Sequence, residues 1–207
     1  RHLSWEESAA FGLAHLTAWR MLINRGGLHP GETVLIHGIG GGVSVACLQL
    51  AKLVGAQVIA TSRSEEKLRR AAELGADHVL PSDDQVARGV RGLTGKRGAD
   101  VVVDSVGEAT WMQSLKAAAK GGRIVTCGAT SGANPAEEIR LIFWNQLSII
   151  GSTMGSREDW RRLVTALNDH QLRPVIDTVL PLAEGRAAYE RMEQAEQFAK
   201  IVLSIDG

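Results

Sequence analysis

The stretch Thr33-Val34-Leu35-Ile36-His37-Gly38-Ile39-Gly40-Gly41-Gly42-Val43-Ser44 decides the fold. Its first five residues are a short β-branched run, which suits a strand buried on both faces. Four glycines follow within positions 38 to 42. Without Cβ atoms the backbone there can approach a ligand closely, and the helix expected over 43–54 offers its unpaired N–H groups and positive end to an anion. In an open parallel sheet the first strand-to-helix turn is the usual phosphate cradle. The strict G-x-G-x-x-G spacing is not met: counting from Gly38 puts Val43 at the last glycine, and counting from Ile39 puts Ser44 there. The turn therefore needs support from its surroundings.

Downstream, strands are predicted over 57–61, 78–80, 101–104, 123–127 and 147–151. Helices are predicted over 65–74, 85–93 and 109–119, the last followed by Gly121-Gly122. Short strands alternating with longer helices imply βαβ units, hence a doubly wound α/β fold of Rossmann type: a parallel sheet with helices on both faces. Upstream, Ser4-Trp5-Glu6-Glu7 reads as an N-cap with a carboxylate three residues later, opening a helix that ends near Gly26-Gly27. The tail reads as a helix over 158–168, a half-exposed strand over 174–181, a helix over 183–194 and a strand over 200–205. The expected organisation is a linking helix in 1–30, the Rossmann-type domain in 31–170, its cofactor core over about 31–155, and a strand-helix-strand unit in 171–207.

Lys plus Arg and Asp plus Glu each number 23, so the net charge is zero and no segment carries a block of one sign. Neither nucleic acid nor an anionic membrane is an expected partner. The longest apolar runs, such as Val101 to Val103 and Leu147 to Ile150, fall far short of the roughly 20 residues needed to span a bilayer, and a soluble protein is expected. Cys47 and Cys127 lie in apolar stretches outside any CxxC or Cys/His cluster, which reads as buried free thiols in a reducing cytoplasm. The chain opens on Arg1 rather than Met, with no leader pattern, and is expected to be part of a longer protein.

The end of the second predicted strand bears on cofactor choice. A site selective for NAD places a carboxylate there to accept the ribose 2′-OH, and that carboxylate would repel a 2′-phosphate. This chain has Thr61-Ser62-Arg63-Ser64 and then Lys67, two cations with hydroxyls and no acid. Each charge-assisted hydrogen bond contributes roughly 1.5–3 kcal/mol, so preference for NADP(H) over NAD(H) is expected. Alternatively Ser62 or Ser64 caps the helix beginning at Glu65, with Arg63 and Lys67 solvated. The two roles are compatible. Groups able to polarise a carbonyl are few. His15 and Trp19 flank Thr17, and His37 ends the first strand, but packing is the better explanation for both histidines. Trp144 and Asn145 suit interface packing as well as substrate contact. No Ser-His-Asp order, paired carboxylate or acid/base dyad is visible, and no catalytic acid is named.

Leu16-Thr17-Ala18-Trp19, Leu28-His29-Pro30-Gly31-Glu32-Thr33-Val34-Leu35-Ile36-His37-Gly38 and Gly41-Gly42-Val43 resemble the medium-chain dehydrogenase/reductase superfamily. Glu66-Lys67-Leu68, Leu74-Gly75-Ala76-Asp77-His78-Val79, Val103-Asp104-Ser105-Val106-Gly107, Gly121-Gly122-Arg123-Ile124-Val125 and Leu147-Ser148-Ile149-Ile150-Gly151-Ser152-Thr153-Met154 are similar to its zinc-type alcohol dehydrogenase and quinone reductase branches. The resemblance covers nearly the whole chain, in order. It implies that the Gly41-Gly42-Val43 turn holds the pyrophosphate and that Ser62, Arg63 and Lys67 surround the adenosine ribose. It puts Ser105, Val106, Gly128, Ala129 and Thr17 on the nicotinamide side, and Lys200 near the pyrophosphate. Ser44 departs from the usual final glycine, which would loosen the helix-to-strand contact.

The resemblance also implies an N-terminal catalytic domain that this chain lacks, to which the strands over 175–180 and 200–205 would be lent, as unpaired edges without it. Most zinc ligands and substrate contacts of the family belong to that half. The one zinc-ligand position in this half falls on Leu13, which does not bind metal, so the chain gives no support for zinc. The function implied is the cofactor-binding half of an oxidoreductase moving hydride between nicotinamide and a small alcohol or aldehyde, a quinone or an enone, in a homodimer or homotetramer. The alternative is a truncated nucleotide-binding or dimerisation module without turnover of its own.

Overall fold

A computed structural model of the chain describes residues 2–205; positions 1, 206 and 207, the outer tips of the regions expected over 1–30 and 171–207, lie outside the described residues. Six strands, β1 (Thr33–Ile36), β2 (Gln57–Ser62), β3 (His78–Pro81), β4 (Ala99–Asp104), β5 (Ala118–Thr126) and β6 (Ser148–Gly151), form one sheet in the order β3-β2-β1-β4-β5-β6. Every neighbouring pair runs parallel. The order reverses between β1 and β4, and that crevice, outside the strands' carboxyl ends, is where such sheets hold ligands.

The interleaved helices are α2 (Gly42–Val54), α3 (Glu65–Glu73), α4 (Val86–Leu93), α5 (Trp111–Ala117) and α6 (Ile139–Trp144). Strand periodicity explains why both sheet faces are covered. Val34, Ile36, Val58, Ala60, Val101, Val103 and Val125 join one core cluster, while Leu35, Ile59, Val102 and Ile124 join the other. Successive side chains point to opposite faces, so uninterrupted apolar strands need a helical layer on each side.

Ahead of the sheet, α1 (Trp5–Trp19) opens on the expected capping box: the Glu7 amide donates to Ser4 Oγ (3.2 Å) and the Ser4 amide to Glu7 Oε2 (2.7 Å). It runs on into a π-helical turn, Arg20–Arg25, and stops at Gly26. Beyond the sheet come α7 (Arg157–Asp169), β7 (Ile176–Pro181), a short 3₁₀ turn (Leu182–Glu184), α8 (Gly185–Glu193) and β8 (Lys200–Ser204). β7 and β8 were expected as unpaired edges. They pair with each other in parallel as a separate two-stranded sheet, so each has one satisfied edge.

Two local expectations are corrected. The helix expected over 109–119 ends at Ala117, and β5 begins at Ala118 rather than at Arg123. The cause is a register shift: Ala99 pairs with Ala118, and regular pairing resumes only at Val101 with Arg123. Gly121, at φ +75°, makes the intervening bulge, so the glycine pair lies inside the strand. The six-residue α6 was not expected at all.

Candidate functional site

The glycine turn closes on itself by backbone contacts. The Ile39 amide donates to the Thr61 carbonyl (2.7 Å) and the His37 amide to Val103 (3.1 Å), which ties the turn to β2 and β4. Gly38 and Gly40 have φ of +65° and +123°, conformations that side chains disfavour. Ser44 tethers the turn. It is buried, and its hydroxyl donates to the Gly38 and Gly41 carbonyls (2.9 Å each), replacing a missing glycine by a tether. α2 then starts at Gly42, after the N-cap Gly41, with no side chain capping its first turn, so its leading amides are available to an anion.

Two lysines lie over this turn. A Cβ at Gly42 would sit 2.8 Å from Lys200 Cδ, and one at Gly40 would sit 2.6 Å from Lys67 Cδ. The φ of Gly40 disfavours any side chain there, whereas at Gly42 a Cβ would meet the flexible stem of Lys200. The stem of Lys200 lies against Gly42 at the start of α2. Lys67, expected beside the ribose, crosses Gly40 and donates from Nζ to the Ala195 carbonyl (2.5 Å). Burial lowers the pKa of its ammonium; Asp177 opposes that shift, whereas Arg191, Arg63 and Arg70 reinforce it.

At the end of β2, Ser62 is buried and its Oγ accepts from the Ser64 amide (3.1 Å). Ser64 caps α3, accepting from the Lys67 amide (3.4 Å), while Arg63 is exposed. The capping role is thus real for Ser64, and the end of β2 carries Ser62 and Arg63 with no carboxylate on it.

On the other side of the crevice, the loops after β4 and β5 are zipped together. The Thr130 amide donates to the Ser105 carbonyl (3.3 Å), the Ser131 amide to Val106 (2.8 Å) and the Glu108 amide to Gly132 (3.1 Å). This brings Ser105 and Val106 against Gly128 and Ala129: a Cβ on Gly128 would lie 3.3 Å from the Ser105 carbonyl, and one on Gly107 3.0 Å from Ala129 Cα. Val106 also abuts the glycine turn, 3.0 Å from a Cβ at Gly38. Asp104 organises the first loop. Fully buried, it accepts from the Val106 and Gly107 amides (2.9 and 3.0 Å), the Thr110 hydroxyl and the Ser114 hydroxyl (2.6 Å). Sequence reading missed its role, although an aspartate ending an apolar run was the signal.

Thr17 joins this group only indirectly. Its hydroxyl donates to the Leu13 carbonyl (2.9 Å), and it shares α1 with Ala14, which approaches Gly42. His15 is a packed residue, with Nδ1 at the Phe11 carbonyl (3.2 Å), Nε2 at Gln49 (3.0 Å) and its ring stacked on Phe11. His37 contacts Thr61 through Nδ1 (3.3 Å), and its Nε2 has no partner. Burial depresses both histidines and raises both cysteine thiols, leaving the thiols protonated and inert. Trp144 and Asn145 end α6 away from the glycine turn, Trp144 exposed.

The residues present fit a dinucleotide: a helix start free of side-chain caps, glycines where the backbone must be bare, and cations on either side. Among the described residues no group of three or more His, Cys, Asp or Glu comes together, and Leu13 sits exposed on α1. Sheet order and glycine turn together define a dinucleotide-binding Rossmann domain.

Residues 42–169 match the family described as zinc-binding dehydrogenase, and the chain belongs to that family, within the medium-chain dehydrogenase/reductase superfamily. A zinc-type alcohol dehydrogenase-like protein of Schizosaccharomyces pombe is 35% identical over all of this chain and 62% of its own length. A crystal structure described as an NAD-dependent alcohol dehydrogenase superposes with TM-score 0.93 at 44% identity, covering 98% of this chain and 60% of that one. The 2-octenoyl-CoA carboxylase reductase CinF, in complex with NADP and 2-octenoyl-CoA, superposes with TM-score 0.89 at 29% identity over 98% of this chain and 50% of its own. The chain thus spans about 60% of the length of the curated relatives it matches. No helix of the described residues is long and apolar enough to cross a membrane.

Proposed function

We propose that this chain is the cofactor-binding part of an NADP(H)-preferring oxidoreductase acting on a small alcohol or aldehyde, a quinone or an enone. The observation that carries the cofactor choice is the end of β2, where the buried Ser62 and the exposed Arg63 stand with no carboxylate on that strand end. An acid at position 62 would repel a 2′-phosphate; a hydroxyl with a guanidinium beside it binds one. The relatives act as NAD-dependent alcohol dehydrogenases, crotonyl-CoA reductases and a quinone oxidoreductase by name, which sets the range of the substrate proposal.

In this reading the amides of Gly42 and Val43 bind the pyrophosphate, and Lys200 neutralises it from the opposite side. Ser62 and Arg63 hold the 2′-phosphate, while Lys67 lies over the glycine turn. The paired loops carrying Ser105, Val106, Gly128 and Ala129 hold the nicotinamide end against α1 and Thr17. When bound, the nicotinamide supplies or accepts the hydride; the chain's part is to place the ring and exclude water beside it. The same reading expects a homodimer or homotetramer, with a second copy against the outer edge of β6.

Fluorescence titration of the protein with NADPH and NADH tests the cofactor choice. NADPH is expected to bind about tenfold more tightly or better, a difference of about 1.4 kcal/mol, and Ser62→Asp to erase that margin. Tighter NADH binding by the wild type, or an unchanged ratio in Ser62→Asp, overturns it.

A further inference from the structure

Asp177 lies on β7, outside the glycine turn, yet its side chain is only 2% exposed. A buried carboxylate is retained only where donors compensate its desolvation. Here three converge on it from three parts of the chain. Oδ1 accepts from the Phe198 amide (3.0 Å) and from Arg70 Nη1 of α3 (3.2 Å), and Oδ2 accepts from Arg191 Nε of α8 (2.8 Å). Burial alone would raise the carboxyl's pKa, but the bonds from Arg191, Phe198 and Arg70 outweigh it and hold the group below its ordinary value.

The bond to Phe198 has reach. Phe198 is itself buried, with the Arg70 guanidinium 4.3 Å above its ring. The next residue, Ala199, donates its amide to the Gly40 carbonyl (2.8 Å), and the one after is Lys200, whose stem lies against Gly42. A few positions earlier the Ala195 carbonyl receives Lys67. Both lysines over the phosphate turn are therefore referenced to the segment 195–200, and Asp177 fixes that segment's backbone at Phe198.

We propose that Asp177 is a positioning residue for dinucleotide binding, acting through the segment 195–200 to set where Lys200 and Lys67 stand over the glycine turn. This rests on the nucleotide reading above. It adds that affinity for the phosphates is governed from a residue that touches neither phosphate nor turn.

A double-mutant cycle on binding tests it, using whichever of NADPH and NADH the wild type binds more tightly. Asp177→Asn keeps an acceptor for the Phe198 amide but removes the charge that holds the two arginines. It is expected to weaken binding about tenfold, as is Lys200→Met. If Asp177 acts through Lys200, the double variant loses less than the product of the two single losses. Losses that multiply, or an Asp177→Asn affinity within about twofold of wild type, overturn the proposal while leaving the nucleotide reading intact. A wild type that binds neither dinucleotide overturns both. Should Asp177→Asn fail to fold, Arg191→Gln removes the ion pairs from Arg191 to Asp177 and to Glu196 at the half-exposed rim and is expected to weaken binding in the same direction, with the same coupling to Lys200; no coupling there also overturns the proposal.

Discussion

Ala195 follows the last turn of α8 with φ +53°, and Ala199 precedes β8 with φ +75°. A side chain in the left-handed region costs roughly 1–2 kcal/mol, which glycine escapes apart from its greater freedom when unfolded. Ala195 is exposed, so nothing is lost by removing its methyl group. Ala195→Gly is expected to stabilise the chain by about 0.5–1 kcal/mol, read as a higher urea midpoint with an unchanged slope; a lower midpoint contradicts it. The same two residues mark what could be read at this scale. Gly38 and Gly40 were legible because a bare backbone restricts the residue type. The destination of Lys67 was not, because it depends on a carbonyl at position 195 that no local pattern connects to it. Asp177 escaped notice for the same reason: on a half-exposed strand it reads as solvated, and only the fold brings Arg70, Arg191 and Phe198 around it.

The elements were legible in proportion to their period. Apolar runs such as Val101–Val103 of β4 announced a two-sided sheet, and the two core clusters show why. α6 has no period to read, since Ile139-Arg140-Leu141-Ile142-Phe143-Trp144 is apolar nearly all round and only six residues long. It lies beside β6, whose outer edge has no neighbour in the sheet. Ile149 on that strand and Phe143 and Trp144 on α6 are exposed, at 39%, 61% and 77%. An open strand edge flanked by apolar side chains is a template for another strand. Trp144→Glu is accordingly expected to move the protein towards the monomer in sedimentation at micromolar concentration. An unchanged sedimentation coefficient would remove this edge as the contact between copies.

For the whole molecule, acidity acts first through the buried histidines. Burial depresses His15 and His37 below the ordinary value of 6.5, and the Asp104 carboxylate only partly offsets this for His37. Above 6.5 both are neutral in the folded and unfolded chain alike. Below it the unfolded chain takes up protons that the folded one refuses, so stability is lost as pH falls through that value towards the folded pKa values. The loss per histidine is at most about 1.4 kcal/mol per pH unit. Asp159 and Asp177, held below their ordinary 3.8 by hydrogen bonds and arginines despite burial, contribute a separate loss only at more acid pH. Urea titrations between pH 7.5 and 5 are expected to show the midpoint falling with acidification, and His15→Gln to flatten the slope. A midpoint that holds or rises would refute the assignment.

The bond from Ala199 to Gly40 also orders events in time. A polypeptide leaves the ribosome from its N-terminus at about 5–20 residues per second, so the glycine turn emerges well before the segment that seats its two lysines. Contacts between such distant positions are slow to form. A nascent chain can therefore assemble β1 and α2 while the two lysines over the glycine turn are not yet in place.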